Sequence, residues 1–168
     1  LVPSGVVYGE PVSIIGNGVV VDPCVLLDEL SYLRKKGVEP KLKISDRAHV
    51  IMPYHIALDS ALSEHQGKLA AESTGRGIAP VYADKMFRNG IRMIDLIEPK
   101  IFKEKLLKGY SFTRGVIEKA LGKNLNISMD EIFDSYIEYG KELEEYISDT
   151  AIELFKAHKA GKSILFEG

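Results

Sequence analysis

Apolar positions along this chain fall in a continuous run, in strict alternation or in helical stripes, and each pattern predicts an element. Val12 to Val21 is β-branched and apolar with Gly16-Asn17-Gly18 inside it. It reads as one buried strand broken by a bulge, or as two short strands around an Asn-Gly turn. Asp22-Pro23 is a helix start, an N-cap acceptor followed by a residue whose fixed φ suits the first turn. Leu26, Leu27, Leu30 and Leu33 line one face, and Lys35-Lys36-Gly37 closes the helix with cations and a glycine. Lys41 to Ser45 alternates as a strand with one buried face, and Pro53 to about Gln66 carries a helical stripe of Tyr54, Ala57, Leu58, Ala61 and Leu62, ended by Gly67.

Further along, Pro80 to Arg88 predicts a short helix packing Val81 and either Phe87 or Met86, with Lys85 and Arg88 on one face. Pro99 opens a helix through Phe102, Leu106 and Leu107 that Gly109 should end. Ser128 and Glu131 form a capping box, with Ile127 against Ile132 as its staple. The stripe that follows, Ile132, Phe133, Tyr136, Ile137, Leu143, Tyr146 and Ile147, has Gly140 as its weak point. Asp149 to Lys159 continues helically, and Ser163 to Phe166 is an apolar segment that reads as a strand. Strand, helix, strand order predicts an α/β layer: a small sheet with flanking helices and a helical excursion at about 97–160. The expected division is an α/β segment over 1–96, a helical subdomain over 97–161, and a returning strand over 162–168.

Composition narrows the function classes. A chain of 168 residues, 45% hydrophobic, can bury one core. Its 22 Lys and Arg against 24 Asp and Glu leave a net charge of −2, so no global field favours nucleic acid and any anion site must be local. The single cysteine, Cys24, cannot close an internal disulfide; on an apolar helix face it reads as a small core residue, and a reducing, cytoplasmic setting is expected. No apolar run approaches membrane-span length. Neither a G-x-x-x-x-G-K-[ST] phosphate loop nor CxxC, H-E-x-x-H or G-x-S-x-G is present. His55 and His65 have no partner at metal spacing, so they read as polar-face or capping residues, and His49 and His158 are isolated.

The chemistry concentrates between Glu72 and Arg88. Ser73 and Thr74 stand beside Gly75, Arg76 and Gly77, with Lys85 and Arg88 in the turns that follow. Glycines let backbone N–H groups approach phosphate oxygens, hydroxyls add donors, a helix N-terminus adds partial positive charge, and arginine offers a planar fork. The bland alternative is a surface loop before a helix, which Gly75-x-Gly77 alone fits equally.

Thr74-Gly75-Arg76-Gly77-Ile78, then Pro80, Tyr82, Asp84-Lys85, Arg88 and Gly90-Ile91-Arg92, resembles the loop of adenylosuccinate synthetases. Pro3-Ser4-Gly5, Ile14 to Val20, Tyr54-His55-Ile56-Ala57-Leu58-Asp59 and the closing Leu165 to Gly168 extend the likeness in order and spacing. The resemblance implies the middle part of a larger P-loop-like ligase. In that family GTP, with Mg2+, phosphorylates the 6-oxygen of IMP, and L-aspartate displaces the phosphate. By resemblance, Thr74 donates to the IMP phosphate and Arg88 reaches across a homodimer to the neighbouring subunit's IMP. Asn17, Ser73, Gly75, Arg76 and Lys85 are secondary candidates for the same pocket. No catalytic residue and no metal ligand is expected in this segment, nor are the ligands of GTP and Mg2+, so the segment alone should be inactive. Two departures, Glu72 and Ala79 where the family usually has glycine, bring a carboxylate and an extra Cβ to the loop. The alternative is a non-catalytic anion-binding or interaction module derived from the same fold. Neither nucleic acid nor membrane is expected as a partner.

Overall fold

The structure, a computed structural model, describes residues 2–69 and 74–167. Two small parallel sheets organise it. β1 (Ser13–Ile15), β3 (Leu42–Ser45) and β5 (Ile147–Ser148) form a three-stranded sheet in the order β1-β3-β5, with Ile15 opposite Ile44 and Ile44 opposite Ile147. β2 (Val20–Val21) pairs in parallel with β4 (His49–Val50), and an antiparallel bridge joins His49 to Arg92. The Val12 to Val21 run is therefore two short strands around a turn, but the strands do not form a hairpin with each other; each enters a different ladder.

Helices follow the chain's punctuation. In α1 (Pro23–Lys35) the Asp22 carboxylate accepts from the backbone N–H of Cys24 and Val25, and Gly37 takes φ +81° just beyond the end. Leu26 and Leu30 are fully buried, whereas Cys24 is exposed, which corrects its expected place in the core. α2 (Pro53–Gln66) has the predicted bounds. α3 (Ile78–Phe87) buries Val81, but Met86 and Phe87 are 69% and 67% exposed, so neither packs as expected. α4 (Met93–Leu96) is one turn, and α5 (Pro99–Gly115) passes straight through Gly109, leaving Leu107 exposed. Gly109 is not a stop: a Cβ there would lie 2.6 Å from the Tyr54 hydroxyl, so the glycine serves a close helix approach. In α6 (Met129–Leu143) Ser128 accepts from the Glu131 N–H at 3.3 Å. α7 (Thr150–Lys159) starts on Asp149, which accepts from Ala151 and Ile152.

The helical excursion runs through α4, α5 and α6 and returns to the sheet at β5, before α7, because Ile147 pairs with Ile44 and does not extend the α6 stripe. Ser163 to Phe166 forms no strand; Leu165 and Phe166 are 93% and 82% exposed, and Glu167 accepts from the Ser4 N–H and hydroxyl at 3.1 Å. One continuous core joins the sheet residues Ile15, Leu42 and Ile44 to Leu26, Phe102, Leu106, Ile132, Tyr136 and Leu143. A small separate cluster of Val20, Ile51 and Val81, backed by Ile78, seats α3 on the two-stranded β2–β4 sheet. Among the described residues no helix is long and apolar enough to cross a membrane.

Candidate functional site

The stretch before α3 is a left-handed glycine turn. Gly75 and Gly77 take φ +66° and +75°, and Gly77 is the N-cap. A Cβ at Gly77 would meet the Ile56 backbone nitrogen at 2.9 Å and His55 atoms at 3.0 Å, so only glycine lets the turn lie this close to α2. The Gly77 N–H donates to the buried Asp59 carboxylate at 2.9 Å. Thr74 and Arg76 are exposed on the outer side of this turn. Ser73 and Glu72 lie outside the described residues.

A second tie joins the same two helices further along. The Met52 N–H donates to His55 Nδ1 at 3.0 Å, which leaves the proton on Nε2 to donate to Asp84 Oδ2, also at 3.0 Å. His55 is thus a buried capping histidine, 1% exposed, and not a polar-face residue.

Asn17 sits at the crossing of three elements. Its side-chain oxygen accepts from the Ser45 hydroxyl at 2.6 Å and the Thr150 hydroxyl at 3.3 Å, while its carbonyl accepts from Lys85 Nζ at 3.3 Å. The Tyr82 hydroxyl donates to the Gly18 carbonyl at 2.6 Å. The β1–β2 turn is therefore laid along the flank of α3, and Asn17 and Lys85 are brought together.

Arg88 closes α3 with φ +64°, the one non-glycine positive φ among the described residues. Its side chain is exposed and pairs with no carboxylate among the described residues. Burial and the cations of Lys85 and Arg92 push the His49 ring down to about 4. The structure thus divides the candidates between the two ends of α3. Thr74, Gly75 and Arg76 stand at its start, Lys85 and Asn17 towards its end, and Arg88 on its last turn.

Two cavities, of about 510 and 370 Å3, lie elsewhere, one between the Ser4–Tyr8 turn and α1, the other between α2 and Lys123, Asn124 and Asn126. Neither includes Thr74 or Arg88. Among the described residues no three His, Cys, Asp or Glu side chains converge as a metal site.

Asp59, His55, Asp84 and Tyr82 are the site-building residues that the helical stripe did not single out. His55 and Asp59 stand four apart, one helical turn, but that spacing does not identify the partner of either. Acids and imidazoles buried at helical spacing call for partners on another element.

Parallel strands in two small sheets, helices around them and a glycine turn opening a short helix define an α/β protein. The family model described as adenylosuccinate synthetase matches residues 1–168, and the chain belongs to that family. It is 44% identical over 171 residues to the adenylosuccinate synthetase of Clostridium acetobutylicum, 45% over 169 residues to that of Listeria monocytogenes, and 46% over 169 residues to that of Heliobacterium modesticaldum. Each alignment covers 100% of this chain but 40%, 39% and 39% of the relative, so the chain spans about two fifths of the length of the curated relatives it matches. Its fold is similar to a fully ligated adenylosuccinate synthetase from Plasmodium falciparum, with TM-score 0.87 and 25% identity, over 100% of this chain and 39% of that one.

Proposed function

We propose that this chain supplies the IMP-phosphate turn and the dimer contact of an adenylosuccinate synthetase, the ligase that joins IMP and L-aspartate at the expense of GTP in AMP biosynthesis. In this reading Thr74 donates its hydroxyl to the phosphate of its own subunit's IMP. Arg88 delivers its guanidinium to the IMP of the partner subunit. Gly75 and Arg76 shape the turn, Ser73 is a further candidate donor beside Thr74, and Asn17 and Lys85 stand with Arg88 towards the other end of α3. GTP and Mg2+ are held by parts of the enzyme outside these residues, and the reaction belongs to the cytoplasm.

The observation that carries the reading is Arg88. Left-handed backbone at a helix C-terminus is glycine's place, and an arginine there accepts a conformational cost of order 1 kcal/mol or more. It leaves the side chain exposed and, among the described residues, without a carboxylate partner. α3 has 10 residues; at 1.5 Å per residue its ends are roughly 15 Å apart. Thr74 and Arg88 of one chain therefore do not suit a single phosphate, whereas Thr74 of one copy and Arg88 of another do.

Calorimetric titration of IMP into the full-length protein tests this. Arg88→Leu is expected to weaken IMP roughly ten- to a hundredfold, the worth of charge-assisted hydrogen bonds to phosphate. Equal heats and affinities from both proteins would remove Arg88 from the site.

A further inference from the structure

We propose that Asp59 is a positioning residue for the Thr74 turn, holding it to α2 through the Gly77 amide. This rests on the reading of Thr74 as the phosphate donor. The Gly77 N–H is one of the donors that a helix start leaves over, and in an anion-binding turn such donors ordinarily face the ligand. Here it faces inward, 2.9 Å from a carboxylate that is 7% exposed. A buried carboxylate beneath a phosphate turn repels the ligand electrostatically, so its retention needs a structural return. That return is a fixed turn. With Gly77 tied to Asp59 and packed on the His55–Ile56 backbone, the φ +66° and +75° glycines keep one arrangement, and Thr74 is carried with them.

His55 supplies the second point of the clamp. Its Nε2 holds Asp84 near the far end of α3, while Asp59 holds the near end. Two contacts from one helix fix α3 against rotation and sliding, so α2 sets the attitude of the helix that carries Arg88 as well as the turn that carries Thr74. Misplacement by about 1 Å in such an arrangement costs on the order of a hundredfold in function.

The test uses the full-length protein and measures KM and Kd for IMP, KM for GTP and the thermal midpoint. Asp59→Ala is expected to raise KM and Kd for IMP about tenfold or more while KM for GTP stays within about twofold. Asp59→Asn keeps an acceptor oxygen at the same place and is expected to recover IMP affinity to within about threefold of wild type. A general loss of stability would move both substrates together and would not be rescued by the amide. A folded Asp59→Ala that binds IMP like wild type, or an Asp59→Asn as weak as alanine, overturns the inference alone. Wild-type protein that fails to bind IMP overturns the nucleotide reading and this inference with it. Should Asp59→Ala not fold, amide exchange at Gly77 in the wild type decides: strong protection in the absence of IMP supports the clamp, and exchange at the rate of an open amide overturns it.

Discussion

His49 is a neutral ring inside a cationic neighbourhood. It is 6% exposed, its Nδ1 has no hydrogen-bond partner among the described residues, and Lys85, Arg92 and Lys105 oppose its protonation while Asp95 favours it. Burial is the largest influence, and the folded ring titrates at about 4, below its ordinary value. The unfolded ring takes up its proton first as pH falls, so stability declines from about pH 6.5 and the loss levels off near pH 4, approaching about 3 kcal/mol. Urea unfolding between pH 4 and 7 should show a shallower pH slope for His49→Gln than for wild type; equal slopes would contradict the assignment. The sequence marked His49 only as isolated, because its burial depends on Gly90, where a Cβ would lie 2.3 Å from His49 Cδ2. His55 and Asp59 were hidden for a related reason: their partners, Asp84 and Gly77, are distant in the chain, and no local pattern announces such pairs.

Glycines within the helices show where an element's own sequence runs out of information. Gly140 reads as a flaw in α6, yet it is where α4 crosses: a Cβ would sit 2.8 Å from the Leu96 carbonyl oxygen and 2.9 Å from Leu96 Cβ. Alanine gains about 1 kcal/mol in helix propensity, but overpacking against backbone costs about 1–3 kcal/mol. Gly140→Ala is therefore expected to lower stability by roughly 1 kcal/mol, seen as a lower thermal midpoint; a raised midpoint would contradict the close crossing. Gly109 follows the same logic against Tyr54. Element starts were legible where capping is local, at Asp22, Pro53 and Ser128, since the side chain or ring acts on its own first turn. Ladder membership was not, because two-residue strands such as β5 carry no period and take their identity from the strand they meet.

At the scale of the whole molecule, a continuous core coexists with apolar side chains that no described residue covers. Tyr8, Met86, Phe87, Leu165 and Phe166 are 67–93% exposed, in a chain that matches about two fifths of its relatives. Family membership was legible early because the glycine turn and its cations lie in one contiguous stretch. Their spatial division was not, since it depends on the length of α3 and on its two ties to α2. On the proposed reading, that division would make the site a property of two copies, with the turn from one and the arginine from the other. A crystal structure of the full-length protein with IMP measures this directly. The expected result is one phosphate within hydrogen-bond distance of Thr74 from one subunit and Arg88 of its partner. A phosphate held by Thr74 and Arg88 of the same chain, or by neither, would contradict it.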